Sequence, residues 1–374
     1  MIYFDNSATT LQKPGEVSRA AAWAVTHLGN AGRSFHGPAM DAARAIQNAR
    51  ETLAALVKAT DARFVAFTSG ATESLNLAAA SLLNPGDAVI TTVLEHNAVL
   101  RPLYRLGCEL SFVDCDDAGR LCLDMLPKLL RPNTRCVFCT HGSNVIGSVS
   151  NVAEIGNFCR AAGISLILDA AQTLGVLEIT ANMADVICFT GHKGLLGPQG
   201  TGGIIAGDDL PFRVVKTGGT GSDSFAPCQA PRMPGVFEAG TANAHGLCAL
   251  EAGTAFISRI GPDAIRQKEM ALTRRFLEGV EDISGVRVYG ADFSGERLPI
   301  AALNIGELSS EEAALLLWER YGIATRPGIH CAPLLHRRFG TAGQGMVRFS
   351  FGYFNTPEEI DAGVRAVAVI AKGL

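Results

Sequence analysis

SLILDAAQ, Ser165 to Gln172, is an apolar run that ends in a carboxylate, and VICFTGHKG, Val186 to Gly194, ends in the same way on a lysine. Neither run alternates apolar with polar residues. An alternating strand has one wet face, whereas a continuously apolar strand has two dry faces, as in a parallel sheet covered by helices on both sides. The same reading extends outward to RFVAFTS from Arg63, DAVITTV from Asp87, ELSFVDC from Glu109, TRCVFCT from Thr134 and GGIIAG from Gly202. Helical patterns lie between several of these runs, as over Thr72 to Leu83 and Val152 to Ala162. The sequence therefore predicts an α/β protein built on a mainly parallel seven-stranded sheet. Such sheets bind ligands at the carboxyl ends of their strands, so the polar residue closing each run is where chemistry is expected.

Beyond Ala244 the pattern changes. A helical region runs to about Asp282, and a smaller α+β unit follows with strands VRVYG, IAALNIG, GIATR and MVRFSFG. Its two helices carry start signals: Ser309 stands three residues before Glu312, and Thr356 before Glu359 with Pro357 at the first helical position. The Gly- and Pro-rich segment Gly218 to Gly235 reads as a long loop. The expected organisation is a large domain over residues 15–255 and a small domain made of residues 1–14 and 256–374.

Of the 374 residues, 48% are hydrophobic and 18% charged, too apolar a balance for disorder. The net charge of -4 comes with no long basic run, which argues against nucleic-acid binding through a clustered positive surface. MIYFDNSATT at the N-terminus shows neither a basic n-region nor an apolar h-region, and no run approaches membrane-spanning length. A soluble cytoplasmic protein without membrane association is the expectation. The ten cysteines form no compact framework. Cys136 and Cys139 resemble half of a zinc or redox motif, but on a strand that spacing sends the two side chains to opposite faces. No second CxxC completes a site, so no metal is expected, and the cysteines other than Cys331 read as buried, reduced thiols.

Five strand ends carry candidate chemistry. TSGATESLNL, from Thr68, presents Ala71, Thr72 and the free N–H groups of a helix start, which suit an anion as well as an ordinary cap. His96, after DAVITTV, reads equally as a ring-stacking or acid–base group and as a capping histidine. Asn144 reads as a turn residue or a polar contact. Asp169 is costly at the end of so apolar a run unless a positive group faces it, or unless it caps a helix. Lys193, flanked by Gly191 and Gly194, sits where partial desolvation would expose a free amine for Schiff-base formation. An anion cradle, a ring-stacking imidazole, a carboxylate for a ring nitrogen and an amine for an aldehyde together meet the needs of pyridoxal 5'-phosphate.

Over essentially its whole length the sequence resembles the class V, fold-type-I pyridoxal-phosphate enzymes, and within them the cysteine desulfurase and selenocysteine lyase branch. The motifs that carry the resemblance are YFDNSATT, TSGATESLNL, LEHNAVLRPL, SNVIG, LDAAQ, TGHKGLLGPQGTG, EAGTAN, RPGIHCAP and VRFSFGYFNTPEEID. The resemblance implies that Lys193 carries the cofactor, that Asp169 pairs with its ring nitrogen and that Gln172 bonds its phenolic oxygen. It implies that His96 stacks on the ring, that Thr72, Thr190 and His192 hold the phosphate, and that Ala71 also binds the cofactor. Gly240 and Thr241 would complete that phosphate site from a second subunit, making a homodimer with shared active sites. Asn144, Arg348 and Arg326 would bind the substrate amino acid, Arg348 as a bidentate fork on its carboxylate.

Cys331 lies in RPGIHCAPLL, where Gly and Pro punctuate the chain and Arg326 and His330 offer positive charge that would favour thiolate. In the family this cysteine takes sulfur from L-cysteine as a persulfide and leaves L-alanine. The same resemblance also covers a selenocysteine lyase, a cysteine sulfinate desulfinase or a class V aminotransferase, none of which needs Cys331 equally. A non-catalytic cofactor-bearing regulator is a further alternative that the full set of site residues disfavours. The basic stretch His336-Arg337-Arg338 reads as a solvated turn, or as a face for an acidic protein sulfur acceptor.

Overall fold

The computed structural model describes residues 1–32, 34–207, 209–221, 224–290 and 294–373. The chain opens with a short strand β1 (Ile2–Tyr3) and helices α1 (Gly15–His27) and α2 (Gly37–Leu56). The large α/β unit then runs β2 (Val65–Thr68), α3 (Ala71–Leu82), β3 (Ala88–Thr92), α4 (Asn97–Arg105), β4 (Glu109–Val113), α5 (Leu126–Leu129), β5 (Thr134–Thr140), α6 (Val152–Ala162), β6 (Ser165–Asp169), β7 (Val186–Thr190) and β8 (Gly202–Ala206). All seven expected runs form strands of one sheet, ordered β2-β8-β7-β6-β5-β3-β4.

Strand β8 is antiparallel to both of its neighbours, β2 and β7, and the remaining pairings are parallel. Six strands therefore point the same way, and the residues that close them, Thr68, Thr92, Thr140, Asp169 and Thr190 among them, gather along one edge. The chain reverses between Thr190 and Gly202, which face each other in the β7–β8 register. Lys193 rides on that reversal. The turn before α3 is pressed against β8: a Cβ on Gly202 would lie 2.5 Å from the Gly70 Cα, so only glycine lets the two backbones meet.

The continuous apolar runs are explained by cover on both faces. Cys136 and Phe138 pack with α3 and α4 residues such as Leu75, Ala78 and Val99 on one side. Val137 and Cys139 pack with Leu53, Ile155 and Leu250 on the other. The CxxC pair thus divides between opposite faces, as strand geometry requires. Cys115, Cys159 and Cys188 are also buried, and Cys108, Cys122 and Cys248 partly so, but Cys228 departs from the expectation and is exposed on the 218–235 loop.

Helix α7 (Ala244–Ile260) packs against α1 and α2, and α8 (Pro262–Val280) follows. The expected boundary at residue 255 falls inside α7. The last unit comprises β9 (Val286–Tyr289), β10 (Ile300–Ile305), α9 (Ser310–Tyr321), β11 (Ile323–Ala324), α10 (Pro333–Arg338), β12 (Val347–Ser350) and α11 (Pro357–Lys372). Strands β12, β10 and β9 form an antiparallel sheet, whereas β11 pairs in parallel with β1 instead. That pairing brings the N-terminal segment beside β12, where Phe4 packs against Phe349, Phe351 and Phe276. Both expected capping boxes are present, Ser309 with Glu312 and Thr356 with Glu359. The segment 218–235 has no helix or strand among its described residues. Among the described residues, no helix is long and apolar enough to cross a membrane.

Candidate active site

The polar edge of the sheet opens into a cavity of about 320 Å³, within the range of small-molecule sites. Its lining includes Ala71, Thr72, His96, Asn144, Asp169, Gln172, Thr190, His192 and Lys193. Nine of the residues singled out from sequence are thus brought together from five strand ends. Gly240 and Thr241 are not among them; both are exposed, in the segment preceding α7.

At one end, α3 begins at Gly70, which has no side chain to cap it and holds φ at 154°, a conformation open mainly to glycine. The uncapped first turn, with Thr72, Thr190 and His192 around it, offers N–H and hydroxyl groups to an anion. The His192 carbonyl is held by the Thr10 N–H at 3.1 Å, while its ring Nδ1 is buried without a hydrogen-bond partner. Burial, then the charges of Lys193 and Lys13, lower its imidazole to about 4. A dianion beside it would supply the opposite charge that the ring lacks.

Asp169 closes β6 at the cavity wall, with Oδ1 accepting from the Ala171 N–H at 2.9 Å. Burial raises its carboxyl above the ordinary range, and the Lys193 charge opposes that rise. Lys193 is lowered to about 8, first by burial and then by the Arg348 guanidinium. A minor fraction of free amine, about a tenth at pH 7, therefore exists near neutrality. His96 fulfils both of its readings: its Nδ1 accepts from the Ala98 N–H at 3.0 Å as the cap of α4, and its ring lines the cavity. Burial lowers it to about 4, so it is a neutral imidazole. One N–H of the Gln172 amide donates to the Ser7 carbonyl at 3.1 Å, and the side chain remains at the cavity wall.

The substrate end differs from the expectation. Arg348 is 2% exposed, and its Nη2 pairs with Asp5 Oδ1 at 2.6 Å while its Nη1 donates to the Asn144 carbonyl at 2.8 Å. A bidentate grip on a substrate carboxylate is not preformed, because one arm of the fork already holds a carboxylate of this chain. Arg326 joins Arg348 by paired backbone hydrogen bonds, and both charges reach Lys193 and His96. The Asn144 side chain does not stand free for a ligand either, since its Nδ2 donates to the His330 carbonyl at 2.8 Å.

That last bond attaches the Cys331 loop to the cavity. The Asn97 N–H, one residue beyond His96, donates to the Cys331 carbonyl at 2.7 Å. Cys331 itself is exposed. His330 and Cys331 both lie in the left-handed region, with φ of 51° and 58°, which costs roughly 1–2 kcal/mol for each L-residue. His330 corrects one expectation: burial lowers its imidazole to about 3, so it is neutral and brings no positive charge to the thiol. The basic stretch that follows is corrected too. It forms α10, where His336 is fully buried and Arg338 pairs with Asp114 and Asp117 at 3.2 and 3.1 Å.

Two carboxyl groups escaped the sequence reading. Asp5 stands in the YFDNSATT motif, and its signal is a charge ending an apolar start. Glu95 sits beside His96 and is 0% exposed, with Oε1 accepting from the Thr140 N–H at 2.9 Å and from the Thr92 hydroxyl at 2.7 Å. Its burial raises the carboxyl to about 8.

A family model described as aminotransferase class-V matches residues 2–362. A probable cysteine desulfurase from Pyrococcus abyssi is 31% identical over 100% of this chain and 95% of its own length. The apo structure of a cysteine desulfurase from Thermococcus onnurineus superposes with a TM-score of 0.93 at 31% identity, covering 100% of this chain and 95% of that one. A cysteine desulfurase from Escherichia coli in an S-sulfonic acid form gives 0.87 at 28% identity, with the same coverage of both chains.

Proposed function

Because the chain belongs to the aminotransferase class-V family, and within it to the cysteine desulfurase branch, we propose that it removes sulfur from L-cysteine, leaving L-alanine and a persulfide on Cys331. The observation that carries this reading is the placement of an exposed cysteine on a loop bonded through Asn97 and Asn144 to the edge of the cavity that contains Lys193 and Asp169.

The residues present fit pyridoxal 5'-phosphate. The His192 Nδ1 without a partner and the uncapped start of α3 suit its phosphate, Asp169 its ring nitrogen, Gln172 its phenolic oxygen, and the Lys193 amine its aldehyde. When bound, that group supplies an electron sink for the pair left at the substrate Cα. Lys193, lowered to about 8, would hold that group through its amine and would move the Cα proton at near-neutral pH. His96, neutral and fixed by its bond to the Ala98 N–H, would stack on the ring. Arg348 and Arg326 draw the substrate carboxylate. The Cys331 thiolate then attacks the substrate sulfur: a new S–S bond forms, the C–S bond breaks, and its electron pair stays with the substrate carbon, which takes up a proton.

In this reading the protein works in the cytoplasm as a homodimer, with Gly240 and Thr241 of one subunit reaching the phosphate end of the other. An acceptor protein or a reductant removes the persulfide sulfur. The test is alanine and sulfide production from L-cysteine with and without reductant, for the yellow holoenzyme and for Cys331→Ser. Reductant-dependent turnover should vanish in the variant while the colour stays. Equal turnover in both proteins overturns the reading. Activity of the variant on selenocysteine or the sulfinate would mark the lyase alternatives, and formation of pyridoxamine phosphate with a keto acid would mark an aminotransferase.

A further inference from the structure

We propose that His336 is a positioning residue for Cys331, holding the left-handed turn that presents the thiol by bonding to the His330 ring; the proposal rests on Cys331 as the sulfur-accepting group. The geometry is a buried relay. His330 Nε2 lies 3.0 Å from the Arg326 carbonyl, His330 Nδ1 lies 3.4 Å from His336 Nε2, and His336 Nδ1 lies 2.8 Å from the Thr341 hydroxyl. The two rings are nearly parallel, at 16°, with centroids 5.6 Å apart.

The direction of every bond follows from its end. A carbonyl only accepts, so His330 Nε2 carries the proton and Nδ1 of the same neutral ring must accept. His336 Nε2 is then the donor to His330, which leaves its Nδ1 to accept the Thr341 hydroxyl proton at 2.8 Å, in preference to the His336 carbonyl at 3.5 Å. Burial lowers the two imidazoles to about 3 and about 4, outweighing the backbone bonds with Arg326 and Thr341 that raise them, which keeps one proton on each ring. Arg326, Arg348 and His336 are the charged and titratable groups that act on His330, and each disfavours a second proton on it.

The relay grips one side of the turn, while the other side is held by its carbonyls: Asn144 bonds that of His330 and Asn97 that of Cys331. Two consecutive residues at φ of 51° and 58° persist only where the surroundings over-determine them. His336 is itself fixed on α10, where the Thr341 N–H donates to its carbonyl at 2.9 Å. Without the His336 N–H, the buried Nδ1 of His330 loses its donor and the turn loses one of its clamps.

The experiment compares holoenzyme carrying His336→Gln, His336→Asn, His336→Ala and Cys331→Ser. Gln restores a donor at the Nε2 position, whereas Asn restores only the acceptor facing Thr341. Two readouts are taken: kcat and KM for L-cysteine with reductant, and the rate at which iodoacetamide labels Cys331, read from the peptide mass. Positioning requires that Asn and Ala lower kcat by about tenfold or more with KM unchanged. The labelling rate should shift in both, and Gln should return both quantities towards the parent. A role in stability alone would lower the denaturation midpoint but leave kcat and labelling of the folded protein at parent values. That outcome overturns the proposal, as does a Gln variant that falls together with Asn and Ala. If the Ala variant does not fold, the Gln and Asn pair still decides. If Cys331→Ser releases sulfur like the parent, the desulfurase reading fails, and the labelling rates still judge the positioning.

Discussion

Glu95→Gln should make the stability of this protein less dependent on pH. Glu95 is fully buried between the ends of β3 and β5, and its Oε1 satisfies the Thr140 N–H and the Thr92 hydroxyl. Its Oε2 is buried without a partner, and among the described residues no cation stabilises a charge there; the neighbouring Asp169 disfavours one further. The carboxyl rises from its ordinary 4.5 to about 8, chiefly through burial. Between those values the folded protein keeps a proton that the unfolded chain has released. Stability from this group is therefore full below about pH 4.5 and is lost as the pH rises towards 8, at about 1.4 kcal/mol per pH unit in that window. Glutamine has the same shape, accepts the same two bonds through its oxygen and carries no ionisable proton. Urea unfolding of parent and Glu95→Gln at pH 5, 6, 7 and 8 isolates the effect, since titrating groups that do not interact with Glu95 cancel in the difference. The variant should gain on the parent steadily up to pH 8 and not beyond. A difference that stays flat from pH 5 to 8 would refute the argument that burial keeps Glu95 protonated.

Removing the carboxylate at Asp5 leaves the Arg348 guanidinium buried without its counterion, so Asp5→Ala should lose roughly 3–5 kcal/mol in urea unfolding, with Asp5→Asn losing less because its oxygen still accepts. A loss within about 0.5 kcal/mol would mean that the pair is solvated and interchangeable with water. Thr356→Ala removes the side-chain bond to the Glu359 N–H at the start of α11 and should cost about 1 kcal/mol with kcat unchanged. A parental denaturation midpoint would show that the cap is redundant there.

The strands could be read from sequence because short, mostly apolar, β-rich runs without alternation fit strands covered on both faces. The order of the strands could not. β8 lies between β2 and β7 because the chain reverses after Thr190 and because Gly202 lets the Gly70 turn come close. Both facts concern backbone approach across the fold, which no local pattern records. The smaller unit shows the same limit. GIATR has the composition of a strand, yet its Ile323 and Ala324 pair with the first strand of the chain, and only Arg326 bridges to β12.

The site divides along the same line. Asp169 and Lys193 stood out because a charge at the end of an apolar run is expensive on local grounds alone. Asp5 ends an apolar start too short to signal a buried strand; it acquires its meaning from Arg348, 343 positions away. His336 was hidden in the opposite way. In a triplet with Arg337 and Arg338 it reads as charge on a wet turn, but the helix sends it inward to His330 while Arg338 turns to Asp114 and Asp117. Of three adjacent basic residues, His336 is buried, Arg337 is exposed and Arg338 is paired, and only the first bears on Cys331. Composition reports how many charges a segment carries, whereas helical periodicity decides which of them meets water, so a buried histidine among arginines is the kind of positioning residue that sequence reading passes over.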